Sequence, residues 1–117
     1  MNKYRNRKTG IDGHTFDSMH EAKRYMELKA MQQDGLIADL ELQVPYTLAE
    51  AKPWSKPFIK NGRLNSKMRA CTYIADFRYQ LPNGEIVVED AKGMETPEYR
   101  IKKKWMFEKY GIQVMEV

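Results

Sequence analysis

Cysteine is nearly absent from this chain of 117 residues, in which Cys71 is the only one. A single cysteine cannot close an internal disulfide or supply a zinc site built from several cysteines. The two histidines, His14 and His20, also lack the spacing of a metal-binding pair. No apolar run reaches the roughly 18 residues of a membrane span, and no apolar stretch follows the basic start as in a secretory signal. We therefore expect a cytoplasmic protein with reduced cysteine.

Apolar material is nevertheless sufficient for folding, at 42% hydrophobic and 31% charged residues. A chain of this length fits one domain, because two halves would each be too small to bury a good core. We therefore expect a single domain over residues 1–117.

Positive charge is concentrated in two segments, although the net charge of the whole chain is only +4. Residues 1–16 carry +3 and residues 50–70 carry +5, which leaves −4 for the rest. Two solvated loops would explain this pattern, but so would two arms that bind nucleic-acid phosphates, and we favour the arms. The candidate DNA-binding residues are Lys3, Arg5, Arg7, Lys8, Lys56, Lys60, Arg63, Lys67 and Arg69.

Hydrophobic periodicity and turn residues predict the order of secondary structure. Asp12-Gly13 marks a small hairpin in the N-terminal arm, and the 50–70 segment, without a clear period, is predicted as a long basic loop or arm. The remaining predictions are a helix over 18–34, a strand over 36–49, a hairpin over 72–81 and 85–92, a helix over 97–110 and a strand over 112–117.

This order, αβββαβ, predicts a mixed four-stranded sheet flanked by helices, in the α/β (α+β) class. Three strands form an antiparallel meander, and a helical crossover leads to a fourth, parallel strand.

The hairpin over 72–92 carries the residues that suggest chemistry. Side chains alternate along a strand, so Asp76 on one strand and Asp90 and Lys92 on the other can share a face, with Glu89 pointing away. Aspartate is uncommon inside strands and costly to bury without a partner. Asp76, Asp90 and the backbone carbonyl of Ala91 are a ligand set that suits Mg²⁺ or Mn²⁺.

Lys92 has two interpretations on spacing alone. It would orient or deprotonate a water molecule, or stabilise negative charge developing on a phosphate. The alternative is a structural ion pair between Asp76 and Lys92 on a solvated sheet face.

The same residues resemble a known signature. Asp76 followed by Asp90-Ala91-Lys92 is similar to the D…(D/E)-x-K motif of the PD-(D/E)XK nuclease superfamily, which has the restriction-endonuclease-like fold. The predicted order of elements matches its core, and Phe16 to Ala22 resembles its first-helix motif. The wider pattern, with Glu41 to Tyr46 and Val88 to Gly93, resembles small phage-encoded proteins grouped with Holliday junction resolvases and related phage endonucleases.

This resemblance, over residues 16–49 and 72–117, implies Mg²⁺-dependent hydrolysis of DNA phosphodiester bonds. It implies catalytic roles for Glu21, Asp76, Asp90 and Lys92, with Glu21 as a further residue at the metal. A homodimer acting on four-way junctions in the host cytoplasm is the expectation. A nicking or flap endonuclease of the same fold and a non-catalytic DNA-binding module are the alternatives.

Several other residues have two interpretations. Glu21 also fits a helix-capping box with Ser18, and Gln43 either contacts the site or DNA or is a satisfied polar residue in a strand. The run Lys102 to Lys104 is a solvated face or touches a phosphate. Trp54, Tyr46 and Phe58 near the basic arm either pack or stack on an exposed base.

Overall fold

The computed structural model describes residues 8–91 and 95–117. Lys3, Arg5, Arg7 and Lys92, for which the sequence predicts functional roles, lie outside these ranges. Within the described residues the chain forms eight strands and two helices: β1 (Thr9–Ile11), β2 (His14–Phe16), α1 (Met19–Gln33), β3 (Ala38–Ala49), β4 (Lys52–Lys60), β5 (Arg63–Met68), β6 (Cys71–Gln80), β7 (Ile86–Asp90), α2 (Pro97–Tyr110) and β8 (Met115–Glu116).

Local sequence signals set the ends of both helices, as predicted. The Ser18 side chain accepts a hydrogen bond from the backbone N–H of Glu21 and so caps α1. Thr96 does the same for α2 through the N–H of Tyr99, with Pro97 at the first helical position. Gly111 ends α2 in the left-handed conformation, at φ 69°, which glycine adopts without steric cost.

A four-stranded sheet forms the centre of the fold, in the order β3-β6-β7-β8. The first three strands are antiparallel neighbours, and β8 lies parallel to β7 after the α2 crossover. This confirms the predicted mixed sheet of a meander plus a parallel fourth strand. Pro45, which cannot donate to a ladder, lies on the edge strand β3.

Alternate residues of β6 form the base of the hydrophobic core. Phe77 and Tyr79 are buried in one cluster with residues of α1, while Tyr73 and Ala75 are buried in a second with residues of α2. Burying these residues fixes which side chains of β6 face the core, because side chains alternate along a strand. Neither described helix is long and apolar enough to cross a membrane.

The basic segment over residues 50–70 is a β-ribbon rather than the loop that the sequence suggested. β4 pairs with β5 through a turn at Asn61-Gly62, where both residues have positive φ, 52° and 74°. Asn-Gly is a strong signal for this turn type, but two prolines and six cations hid the strand pattern. Every residue of β4 is exposed, so no core imposes alternation on its sequence. The predicted N-terminal hairpin is also present, as β1 and β2.

Candidate active site

Three carboxylates from different elements meet beside the β6–β7 pair. Asp76 lies on β6, Asp90 is the last residue of β7, and Glu21 lies in the first turn of α1. Phe77 pairs with Glu89 at the end of the paired stretch, and Asp76 and Asp90 are the next residue of each strand. All three side chains are buried, with Asp90 at 0% exposure.

Asp76 is held by a backbone contact and by an amide. Its Oδ2 accepts a hydrogen bond of 2.9 Å from the N–H of Ala91, and its Oδ1 lies 3.5 Å from Nε2 of Gln43. Gln43 has a φ of 53°, a region that side chains other than glycine rarely adopt. Gln43 therefore contacts the site, and the same contact gives its amide a partner within the sheet.

Asp90 is held by a tyrosine that the sequence analysis did not single out. The Tyr73 hydroxyl donates a hydrogen bond of 2.5 Å to Asp90 Oδ2. Burial, followed by this bond, raises the pKa of Tyr73 well above its usual range, so the phenol stays protonated as a donor. The two residues belong to different strands and both are buried. No sequence motif marks such a pair, because it depends on how the strands twist past each other.

Glu21 brings the third carboxylate into the group. Burial, then the neighbouring charge of Asp76 and a hydrogen bond with it, raise the pKa of Glu21 to about 8, with smaller effects from Asp17 and Asp90. The Ser18 half of the capping box is present, since the backbone N–H of Glu21 donates to the Ser18 side chain. The Glu21 side chain itself belongs to the acidic cluster. Asp17 lies in the stretch from Phe16 to Ala22 that resembles the first-helix motif, and no site role was predicted for it.

Glu89 is separated from this cluster, in agreement with the predicted alternation. Arg24 of α1 donates two hydrogen bonds to its carboxylate, at 2.8 and 2.7 Å, and the Tyr79 hydroxyl donates another. Glu89 is therefore a buried structural acid, one residue away from the candidate catalytic Asp90.

A divalent cation is the ligand that the donor set fits. Buried carboxylate oxygens are preferred ligands of Mg²⁺, and Asp76, Asp90 and Glu21 lie close enough for their charges to interact. Over residues 8–91 and 95–117, however, no group of three or more His, Cys, Asp and Glu side chains is placed to hold a metal ion. The cluster thus has the right chemistry without a formed cage.

The predicted DNA-binding residues fall in two places. Lys8 is exposed just before β1, and the others lie on the β4–β5 ribbon, with Arg69 directly after the end of β5. Lys102 and Lys103 of α2 instead pair with acids, Lys102 with Glu98 at 3.0 Å and Lys103 with Glu116 at 2.6 Å. These two lysines are therefore occupied within the fold.

Fold and site together define a class: a small mixed α+β domain with a buried acidic cluster between its first helix and its sheet, and with a basic β-ribbon. The particular family follows from comparison of the sequence. A family model described as a protein of unknown function (DUF1064) matches residues 1–116, and the chain belongs to this family. None of the curated proteins matches the chain, and neither does any solved structure.

Proposed function

We propose that this protein is a metal-dependent DNA endonuclease with a restriction-endonuclease-like core. The observation that carries the proposal is the convergence of Glu21, Asp76 and Asp90 from α1, β6 and β7. The acids with the spacing of a D…D-x-K motif lie in one buried cluster, and the acid outside the motif, Glu89, is paired elsewhere. A group of buried like charges is costly unless a cation compensates it.

Each residue has a distinct role in this proposal. Asp76, Asp90 and the Ala91 carbonyl hold Mg²⁺, with Glu21 assisting, and Mn²⁺ is expected to substitute. When bound, the ion polarises the phosphate and lowers the pKa of a water molecule. Tyr73 and the Ala91 N–H orient the two aspartates through their hydrogen bonds. Lys92, which follows Ala91 in the motif, positions the attacking water or stabilises negative charge on the phosphate.

The DNA is held by Lys8 and by the cations of the ribbon, together with Lys3, Arg5 and Arg7 of the N-terminal arm. Residues 52–70 contain six lysines and arginines and no acid. Contacts of this kind read phosphates rather than bases, which favours recognition of DNA shape over sequence.

The substrate that we propose is a four-way DNA junction, cut by a homodimer as in a Holliday junction resolvase. Resolution of a junction needs two cuts, and a twofold-symmetric pair of chains supplies two equivalent sites. A nicking or flap endonuclease would use the same residues on another branched structure.

The test is cleavage of a labelled junction beside a duplex, a flap and a single strand, with Mg²⁺ or EDTA. Asp90→Asn is expected to lower the rate at least about a hundredfold, because metal-assisted charge stabilisation contributes several kcal/mol. Glu41→Gln is the matched control: this sheet carboxylate is exposed and pairs with Arg78 at 2.8 Å, outside the cluster. Equal rates for Asp90→Asn and Glu41→Gln would reject the proposal.

A second candidate is a DNA-binding module that keeps the fold without catalysis. The observation that favours it is the lack of a formed three-residue metal group in the described part of the chain. Junction binding without cleavage under Mg²⁺ or Mn²⁺ would establish this candidate over the nuclease.

A further inference from the structure

One face of the β4–β5 ribbon carries an exposed aromatic pair. The rings of Trp54 and Phe58 lie with centroids 6.0 Å apart and planes inclined at 57°. Trp54 is 37% exposed and Phe58 is 43% exposed, so neither ring is covered by the core. The indole N–H donates a hydrogen bond of 2.7 Å to Asn65 Oδ1 on the opposite strand, which fixes the orientation of the ring.

Cations flank this pair on the same face. Phe58 pairs with Asn65 and Lys60 pairs with Arg63, and residues two apart on a strand share a face. Lys60 and Arg63 therefore lie on the Phe58 face, and Lys67, two residues beyond Asn65, pairs with Pro53 past a register shift between Pro53 and Phe58. The other face differs in character, since Ile59 pairs with Leu64 there and both are largely exposed and uncharged.

Packing within the fold does not explain an aromatic pair in this position. The ribbon is exposed along the whole of β4, and a tryptophan whose polar N–H is already bonded presents only its apolar ring to water. These flat rings lie among cations in a stretch, residues 52–70, that contains no acid. They complement a ligand that has both flat apolar groups and negative charge. A nucleic-acid strand with accessible bases has both.

We infer that Trp54 and Phe58 form a base-stacking platform for DNA whose bases are unpaired, with Lys60, Arg63 and Lys67 on the adjoining phosphates. The choice of DNA rests on the proposed function, but the platform adds a substrate class to it. Paired bases inside a uniform duplex offer no free face to a ring. The ribbon therefore selects single-stranded segments or branch points with exposed bases, independently of the acidic cluster.

The experiment measures binding in EDTA, where no cutting is expected. Trp105→Phe leaves Trp54 as the single indole of the chain, and its fluorescence reports stacking directly. The probes are a short oligothymidylate, a duplex of the same length, and a four-way junction with unpaired thymidines at its branch point. We expect quenching by the first and third probes and little change with the duplex.

Affinity measurements on the full-length chain complete the test. Trp54→Ala and Phe58→Leu are each expected to weaken oligothymidylate binding by roughly tenfold to a hundredfold, the size of one lost stacking contact. Ile59→Ala is the matched control, because Ile59 lies on the opposite face of the same strand and is 75% exposed. It is expected to bind as the unmodified protein does.

The outcomes separate this inference from the nuclease proposal. Weaker oligothymidylate binding by Trp54→Ala and Phe58→Leu would support the platform. If the unmodified protein also cuts no DNA under Mg²⁺, the nuclease is rejected while the platform stands. Unchanged affinity in Trp54→Ala and Phe58→Leu, or equal quenching by the duplex, overturns the platform and leaves the nuclease intact. A loss in Ile59→Ala as large as in Trp54→Ala, with a change in oligomeric state, also overturns it and assigns the ribbon to contact between chains.

Discussion

Asp76 and Ala91 are joined by a hydrogen bond of 2.9 Å from the backbone N–H of Ala91 to Asp76 Oδ2. The first acid of the motif is thereby tied to the residue that follows the second acid, Asp90. This bond lies just beyond the paired stretch of β6 and β7, which ends at Phe77 and Glu89. The separation of the two aspartates is therefore set by the protein itself, before any cation binds.

Asp76→Asn is expected to stabilise the metal-free protein. The amide oxygen can keep the bond from the Ala91 N–H, while the charge that raises the pKa of Glu21 is removed. Burial is the larger cause of that raised pKa and the Asp76 charge the second, so removing the charge should give a modest gain in the free energy of unfolding. Thermal unfolding in EDTA at pH 7 measures it, and a lower melting temperature than that of the unmodified protein would contradict this expectation.

With Mg²⁺ present, the unmodified protein should instead be more stable than Asp76→Asn. A cation bound only by the folded state adds about 2.7 kcal/mol to the stability at a concentration 100 times its dissociation constant. Mg²⁺ is expected to raise the melting temperature of the unmodified protein but not that of Asp76→Asn. The same rise in both proteins would place the cation away from Asp76.

Tyr73→Phe tests the orientation of Asp90. Losing the donor leaves a fully buried carboxylate less satisfied, at a cost of about 1–3 kcal/mol in unfolding free energy. Groups that orient a metal ligand typically change metal affinity tenfold to a hundredfold, so half-maximal cleavage should need more Mg²⁺ by about that factor. Tyr46→Phe is the control, because its hydroxyl contacts Arg78 on the same sheet instead. An unaltered Mg²⁺ requirement in Tyr73→Phe would show that Asp90 needs no such partner.

Gln43→Gly separates backbone strain from side-chain function. Glycine accepts the φ of 53° without strain, so the unfolding free energy should stay within about 1 kcal/mol of its original value. The amide near Asp76 is lost, however, and we expect slower cleavage at an unchanged fold. Urea unfolding and initial rates measure the two effects, and full activity in this variant would reduce Gln43 to a structural residue.

Glu89→Gln should lower stability and leave cleavage in place, whereas Asp90→Asn should lower the cleavage rate. Glu89 is 1% exposed and accepts two hydrogen bonds from Arg24, and breaking a buried ion pair from one side costs about 3–5 kcal/mol. We expect a large loss in urea stability, with metal-dependent cleavage retained by the folded molecules at low temperature. If Glu89→Gln kept its stability but lost cleavage, Glu89 would be the catalytic acid and Asp90 the structural one.

The effect of Asp12→Asn on the free energy of unfolding should depend on pH. Hydrogen bonds from Lys29, then from Tyr25, lower the pKa of the Asp12 carboxyl below its ordinary value. A carboxyl whose pKa is depressed by folding stabilises the folded state above its unfolded pKa, and loses that contribution as the pH falls through the folded pKa. The stability difference between the two proteins should thus be constant near pH 6 and shrink as the pH falls below the ordinary aspartate pKa of about 3.9. Asparagine accepts the positive φ of Asp12, so the turn itself is retained. A difference that persists in acid would mean that the charge of Asp12 is not involved.

Most of the fold could be predicted because its signals are local. Ser18, Thr96 with Pro97, and Gly111 mark the helix ends by their own hydrogen-bonding and backbone preferences. The alternation along β7 also predicted that Asp90 and Glu89 point to different surroundings, and their bonds to Tyr73 and to Arg24 agree with it. The sequence predicted a loop where the β4–β5 ribbon lies, although Asn61-Gly62 is a typical hairpin turn. An exposed hairpin does not need the apolar alternation by which buried strands are recognised.

The sequence by itself determined the order of the core elements and the candidate acids of the hairpin, because periodicity and capping act over a few residues. Only the tertiary structure decided that Tyr73 holds Asp90, that Arg24 neutralises Glu89, and that the charge of Asp76 reaches Glu21. Arg24 and Glu89 lie 65 positions apart in the chain. Such contacts depend on strand twist and on where α1 packs against the sheet. Those are properties of the whole core, and no short stretch of the sequence encodes them.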